Sequence, residues 1–131
     1  MSAQDSNSAT AFGWLVFDYL YRDASNYKAF GSVWLTGTLT EAERTELVEC
    51  LDGSEFFVAE QIGVPPLYPA LFEDAGGPTE DDHAWHMFEG LREESEMAEK
   101  AGVWGVASAL LAAFRPAKGN WRLELSPNFD W

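Results

Sequence analysis

The residues best suited to chemistry stand close together. Asp82, His83 and His86 bring one carboxylate and two imidazoles into five positions, a donor set that suits zinc, manganese or iron. Geometry decides whether they could share an ion. On a helix His83 and His86 would face the same way, with Asp82 one turn before His86. On a strand the two imidazoles would point to opposite faces and could not hold one ion unaided. Thr79 and Asp82 have the spacing of a capping box, yet Gly76-Gly77-Pro78 on one side and Gly90 on the other leave little room for a helix. The sequence therefore favours a strand through Trp85, His86, Met87 and Phe88. No cofactor is expected on this reading. A divalent metal at Asp82, His83 and His86, serving a metal-dependent hydrolase, is the alternative.

Acid–base chemistry without a metal needs a carboxylate whose pKa is raised by burial. Asp18, set among Trp14, Val16 and Leu20, is the first candidate, and Glu60 on an expected third strand is the second. Asp18 also has a plainer reading, as the partner of Arg22 on the same face or of Lys28 across a hairpin. Tyr19, Tyr21, Trp34 and Phe57 could line a small-ligand pocket. Cys50 is a poor nucleophile, because Glu46 and Glu49 beside it raise the pKa of a thiol. No Gly-x-Ser-x-Gly elbow is present, and Gly76-Gly77-Pro78 leads into Glu80, Asp81 and Asp82, the wrong sign for cradling phosphate.

Charge narrows the function classes further. The chain carries 8 basic and 22 acidic residues, a net charge of −14. Residues 41–99 hold 17 of the acids and two bases, Arg44 and Arg92, whereas residues 100–131 are slightly basic. Such a surface repels phosphates, so neither direct nucleic-acid binding nor an anionic membrane is expected. It would speed encounter with a basic protein, including one that itself binds nucleic acid. The expected contact residues are Glu41, Glu46, Glu49, Glu73, Asp74, Glu80, Asp81, Asp82, Trp85, Glu89, Glu93 and Glu94. The expected activity is binding and neutralising such a partner, as an inhibitor, an immunity protein or a nucleic-acid mimic does. An enzyme is the less favoured reading.

The elements that must position these residues follow from periodicity. Residues 12–22 and 27–39 alternate as two strands of an antiparallel hairpin around a turn at Asp23-Ala24-Ser25-Asn26. Thr40 and Glu43 start a helix with a capping box; its buried stripe is Leu47, Val48 and Leu51, and Asp52-Gly53 ends it. A strand over 55–62 precedes the extended Val64-Pro65-Pro66. Residues 92–100 read as a charged connector. From Met97 to Phe114 apolar positions recur at spacings of 3 and 4, which predicts one helix, with Gly102 and Gly105 as sites of close packing. Trp121 to Leu125 alternates as a last strand. The expected fold is α+β: an antiparallel sheet of four to five strands with two main helices on one face. Residues 1–11 read as a flexible tail and 12–131 as a single domain. The single cysteine, and a tail with neither a basic start nor an apolar run, point to the cytoplasm.

Overall fold

The computed structural model describes residues 13–22, 28–68, 85–97 and 102–125. The expected tail at 1–11 and the turn at 23–26 lie outside them. Strand β1 (Trp14–Arg22) and strand β2 (Lys28–Thr36) form the expected hairpin, running from Trp14 opposite Thr36 to Arg22 opposite Lys28. Residues directly across a ladder share a face. Leu15, Phe17 and Tyr19, with Leu35 and Val33, therefore make one apolar side. Trp14, Val16, Asp18 and Leu20, with Trp34, Ser32 and Phe30, make the other. Gly31 lies opposite Tyr19, where a Cβ would stand 2.7 Å from Leu67 Cδ2 and 3.3 Å from Tyr19 Cζ, so a larger residue would have to push the Leu67 side chain aside.

Helix α1 (Glu41–Cys50) starts as its sequence dictates. The Thr40 hydroxyl accepts from the Glu43 N–H at 3.1 Å, and the Glu43 carboxylate accepts from the Thr40 N–H at 2.8 Å. Leu47, Cys50 and Leu51 are buried and Val48 half so. The chain then turns through Gly53 and Ser54, both with positive φ. Strand β3 (Phe56–Val58) is shorter than the expected 55–62, because Ala59–Ile62 wind into a short helix, α2. Gly63, in the left-handed region, closes that helix with its N–H on the Ala59 carbonyl.

Strand β4 (Trp85–Glu94) confirms the strand reading of residues 85–88 and extends it through Arg92, Glu93 and Glu94, so the charged connector begins later than its composition suggests. A bulge at Glu89 resets the register: Asp18 faces Gly90, whereas Tyr19 faces Phe88. The single helix expected over 97–114 is replaced by strand β5 (Val103–Val106) and helix α3 (Ala107–Phe114). The β-branched valines flanking Gly105 favour extended backbone. Ala107, Leu110, Leu111 and Phe114 use the helical spacing to reach the core. The glycines are not close-approach sites, since a Cβ at Gly102 or Gly105 would meet nothing within 4 Å. The last expected strand is likewise absent; Leu123–Leu125 form a 3-10 turn.

The sheet has the order β3-β4-β1-β2-β5. All neighbours are antiparallel except β5, which runs parallel to β2, so the sheet is mixed where an antiparallel one was expected. Helices α1, α2 and α3 send Leu47, Cys50, Ala59, Ile62, Leu110, Leu111 and Phe114 onto the Leu15–Phe17–Tyr19 side, forming one core. Among the described residues no helix is long and apolar enough to cross a membrane.

Candidate functional site

Because β4 is a strand, His86 faces inward, opposite Phe57 of β3. It is fully buried. The rings of Tyr19, Tyr21, Phe57 and Tyr68 surround it at centroid distances of 6.0, 5.1, 5.8 and 5.9 Å. Its Nε2 accepts the Leu67 N–H at 3.0 Å, which fixes the extended segment after Pro66 to the sheet. A ring nitrogen committed to a backbone donor is not offered to a metal. Asp82 and His83 lie outside the described residues, and among the described residues no group of three potential ligands comes together.

The acid–base candidates are engaged as well. Asp18 accepts from Ser32 Oγ at 2.5 Å and from Arg92 Nε at 2.8 Å. The ion pair is with Arg92 across the β1–β4 ladder, in place of Arg22 or Lys28, because β4 continues through Arg92. Glu60 sits on α2, in place of the expected strand, and accepts the Tyr68 hydroxyl. The four-residue ligand pocket cannot form: Tyr19, Tyr21 and Phe57 are buried on the helix side, while Trp34 lies on the opposite face. Tyr19 is locked in the core, its hydroxyl donating to the Pro65 carbonyl at 2.6 Å, and burial pushes its pKa up to about 12. Cys50 is buried, and burial first, then Glu46, push its thiol pKa up.

The carboxylates divide into neutralised and open groups. Arg115 grips Glu46 through two hydrogen bonds, at 2.7 and 3.1 Å, and holds that carboxyl below its usual range. Arg44, anchored on the Leu39 carbonyl and Thr38, pairs with Glu93 at 2.9 Å. Arg92 pairs with Glu94. Glu41, Glu49 and Glu89 are exposed and make no ion pair among the described residues. Glu41 and Glu49 flank an open depression of about 400 Å³ on α1, with Arg44, Thr45 and Val48 as its other walls. Trp85 is half-buried, its ring against Phe56. Glu73, Asp74, Glu80, Asp81 and Asp82 lie outside the described residues.

The expected contact residues leave out three members of the open group, Asp52, Glu55 and Glu96, the last exposed just past β4. Asp52 and Glu55 are exposed in the turn that follows α1, continuing the acidic surface beyond Glu49. The signal was available: Asp52-Gly53-Ser54-Glu55 is turn-forming, and the side chains of a surface turn face water. No family model, curated protein or solved structure matches this chain.

Proposed function

We propose that the protein is a non-catalytic, acidic binding protein that engages a basic macromolecular partner and masks its cationic surface. An inhibitor, an immunity protein or a mimic of nucleic acid would act in this way. The observation carrying the reading is a run of open carboxylates, Glu41, Glu49, Asp52 and Glu55, along α1 and its following turn, with no ion pair among the described residues. Arg44 on α1 and Arg115 beside it are already held by Glu93 and Glu46. Open acids of one sign raise the rate of encounter with cations and bring specificity through their spacing.

The full-length protein, immobilised and exposed to lysate of its native cell, should retain a basic protein that elutes with rising salt. Replacing Glu41, Glu49 and Glu55 by lysine should abolish retention while leaving the circular dichroism spectrum unchanged. Retention indifferent to ionic strength would rule out a contact driven by carboxylates.

A further inference from the structure

Residues 64–68 follow α2 as a strap laid on the helix side of the sheet, and their sequence limits how they can be held. Pro65 and Pro66 have no N–H, so neither can donate to a ladder. The first backbone donor beyond Val64 is the Leu67 N–H, and it goes to His86 Nε2 at 3.0 Å. Two more side chains complete the fastening among the described residues. The Tyr19 hydroxyl donates to the Pro65 carbonyl at 2.6 Å, and the Tyr68 hydroxyl donates to the Glu60 carboxylate. The Leu67 side chain fills the space beside Gly31, its Cδ2 lying 2.7 Å from the position a Cβ would take. Before the strap the chain is fixed through its backbone: the Val64 N–H bonds the Ala59 carbonyl at 3.2 Å, and Trp104 Nε1 bonds the Gly63 carbonyl at 2.8 Å. The strap is thus hinged at Val64 and held beyond it through ionisable side chains.

Of these fastenings the one at His86 is the most sensitive to mild acid. A ring nitrogen that accepts a backbone N–H carries a lone pair and no proton. Once protonated it can only donate, and two N–H groups would then face each other in a buried site. Imidazole in water takes up its proton near about pH 6.5. Among the described residues the ring faces Tyr19 and Tyr21 of β1, Phe57 of β3 and Tyr68 of the strap. The Tyr19 phenol is pushed up to about 12 by burial, so it stays neutral in acid. Helix α3, behind Phe57, has no charged residue. Glu60 of α2 lies one hydrogen bond beyond Tyr68, and a protonated carboxyl there still offers an oxygen to the Tyr68 hydroxyl.

We infer that His86 is an acid-sensitive latch: a proton on its Nε2 breaks the Leu67 bond and lets residues 65–68 lift from the sheet while the sheet stays folded. The closed strap admits only the neutral ring, whereas the open strap admits both forms. Closure is fully favoured above about pH 6.5 and is lost progressively below it. From about pH 7.5 to about pH 5.0 the opening constant should rise about thirtyfold. The β1–β2 and β1–β4 ladders are held by backbone pairs, which do not titrate in this range. Opening uncovers the His86 ring and the Tyr19 hydroxyl, which Leu67 and Pro65 engage in the closed state.

Amide hydrogen exchange of the full chain, read by NMR from about pH 7.5 to about pH 5.0 and corrected for intrinsic rates, tests this. The Leu67 amide should lose about thirtyfold in protection, while amides of the β1–β2 ladder keep theirs. His86→Gln offers an amide oxygen that can accept the Leu67 N–H and cannot titrate, so the loss should vanish there. Glu60→Gln keeps an acceptor for Tyr68 and should retain the full loss. If a variant does not fold, the wild type decides through its imidazole nitrogen shifts, which should report a neutral His86 ring wherever Leu67 is protected. Protection at Leu67 independent of pH, or a fall shared equally by the ladder, would overturn the inference. So would the same fall in folded His86→Gln, its disappearance in folded Glu60→Gln, or a doubly protonated ring under a protected Leu67.

Discussion

Replacing Tyr19 by phenylalanine should reverse its effect on stability as the solution becomes alkaline. The Tyr19 side chain is 2 % exposed and its hydroxyl donates to the Pro65 carbonyl at 2.6 Å. Near neutral pH the variant loses one hydrogen bond and leaves a carbonyl on an exposed proline that water can reach. The cost should be about 1 kcal/mol. Burial raises the phenol pKa from 10.0 to about 12, so the folded protein holds this proton more tightly than the unfolded chain. Below pH 10 that difference contributes nothing to the pH dependence; as pH rises from 10 to 12 the unfolded chain ionises first and stability falls. Two pKa units correspond to about 2.7 kcal/mol in full. Phenylalanine does not titrate. The variant should therefore be about 1 kcal/mol less stable at pH 8, equal near pH 10.7 and more stable above it. Urea unfolding of both proteins, followed by far-ultraviolet circular dichroism from pH 8 to 11.5, measures the gap. Every other titrating group is common to both and cancels. A gap that stays constant across this range would refute the assignment of the alkaline limb to Tyr19.

Two smaller perturbations test the local geometry around α1. Thr40→Ala removes the hydroxyl that accepts the Glu43 N–H, leaving the backbone N–H of residue 40 on the Glu43 carboxylate, and should lower the urea midpoint by the equivalent of about 1 kcal/mol without changing the slope. Ser54 adopts φ 63° in the turn before β3, a conformation glycine takes without strain. Ser54→Gly should raise stability by about 0.5–1 kcal/mol, and a lower thermal midpoint would show that the serine is held there by more than the backbone.

The sequence was most legible where one local rule acted alone. Thr40 and Glu43 announce a helix start, and the alternation from Trp14 to Leu35 announces a hairpin, because each pattern is satisfied within the segment itself. It was least legible between Met97 and Phe114. There the apolar spacing of 3 and 4 is genuine, but β5 draws Val103, Gly105 and Val106 into a parallel ladder with β2, a partner nearly seventy residues earlier. Tertiary pairing overrides periodicity in such a stretch. Arg92-Glu93-Glu94 was misread for the same reason. A run of charges looks like a connector until Asp18 and Arg44 arrive to neutralise it from β1 and α1. The site was legible in sign and not in membership. Net charge identified an acid-rich surface, yet which acids stay open depends on which ones Arg44, Arg92 and Arg115 reach across the fold.

That dependence separates the two sides of the molecule. On α1 the arginines spend their charge on Glu46 and Glu93, and the acids between and beyond them are left to solvent. On the outer side of the sheet Arg92 spends its charge on Asp18 and Glu94 and lies over Trp34. Ionic strength should therefore act on the α1 side above all. Screening weakens attraction between open carboxylates and a basic partner. Retention of that partner that holds unchanged as salt rises would show that the open acids of α1 do not carry the contact.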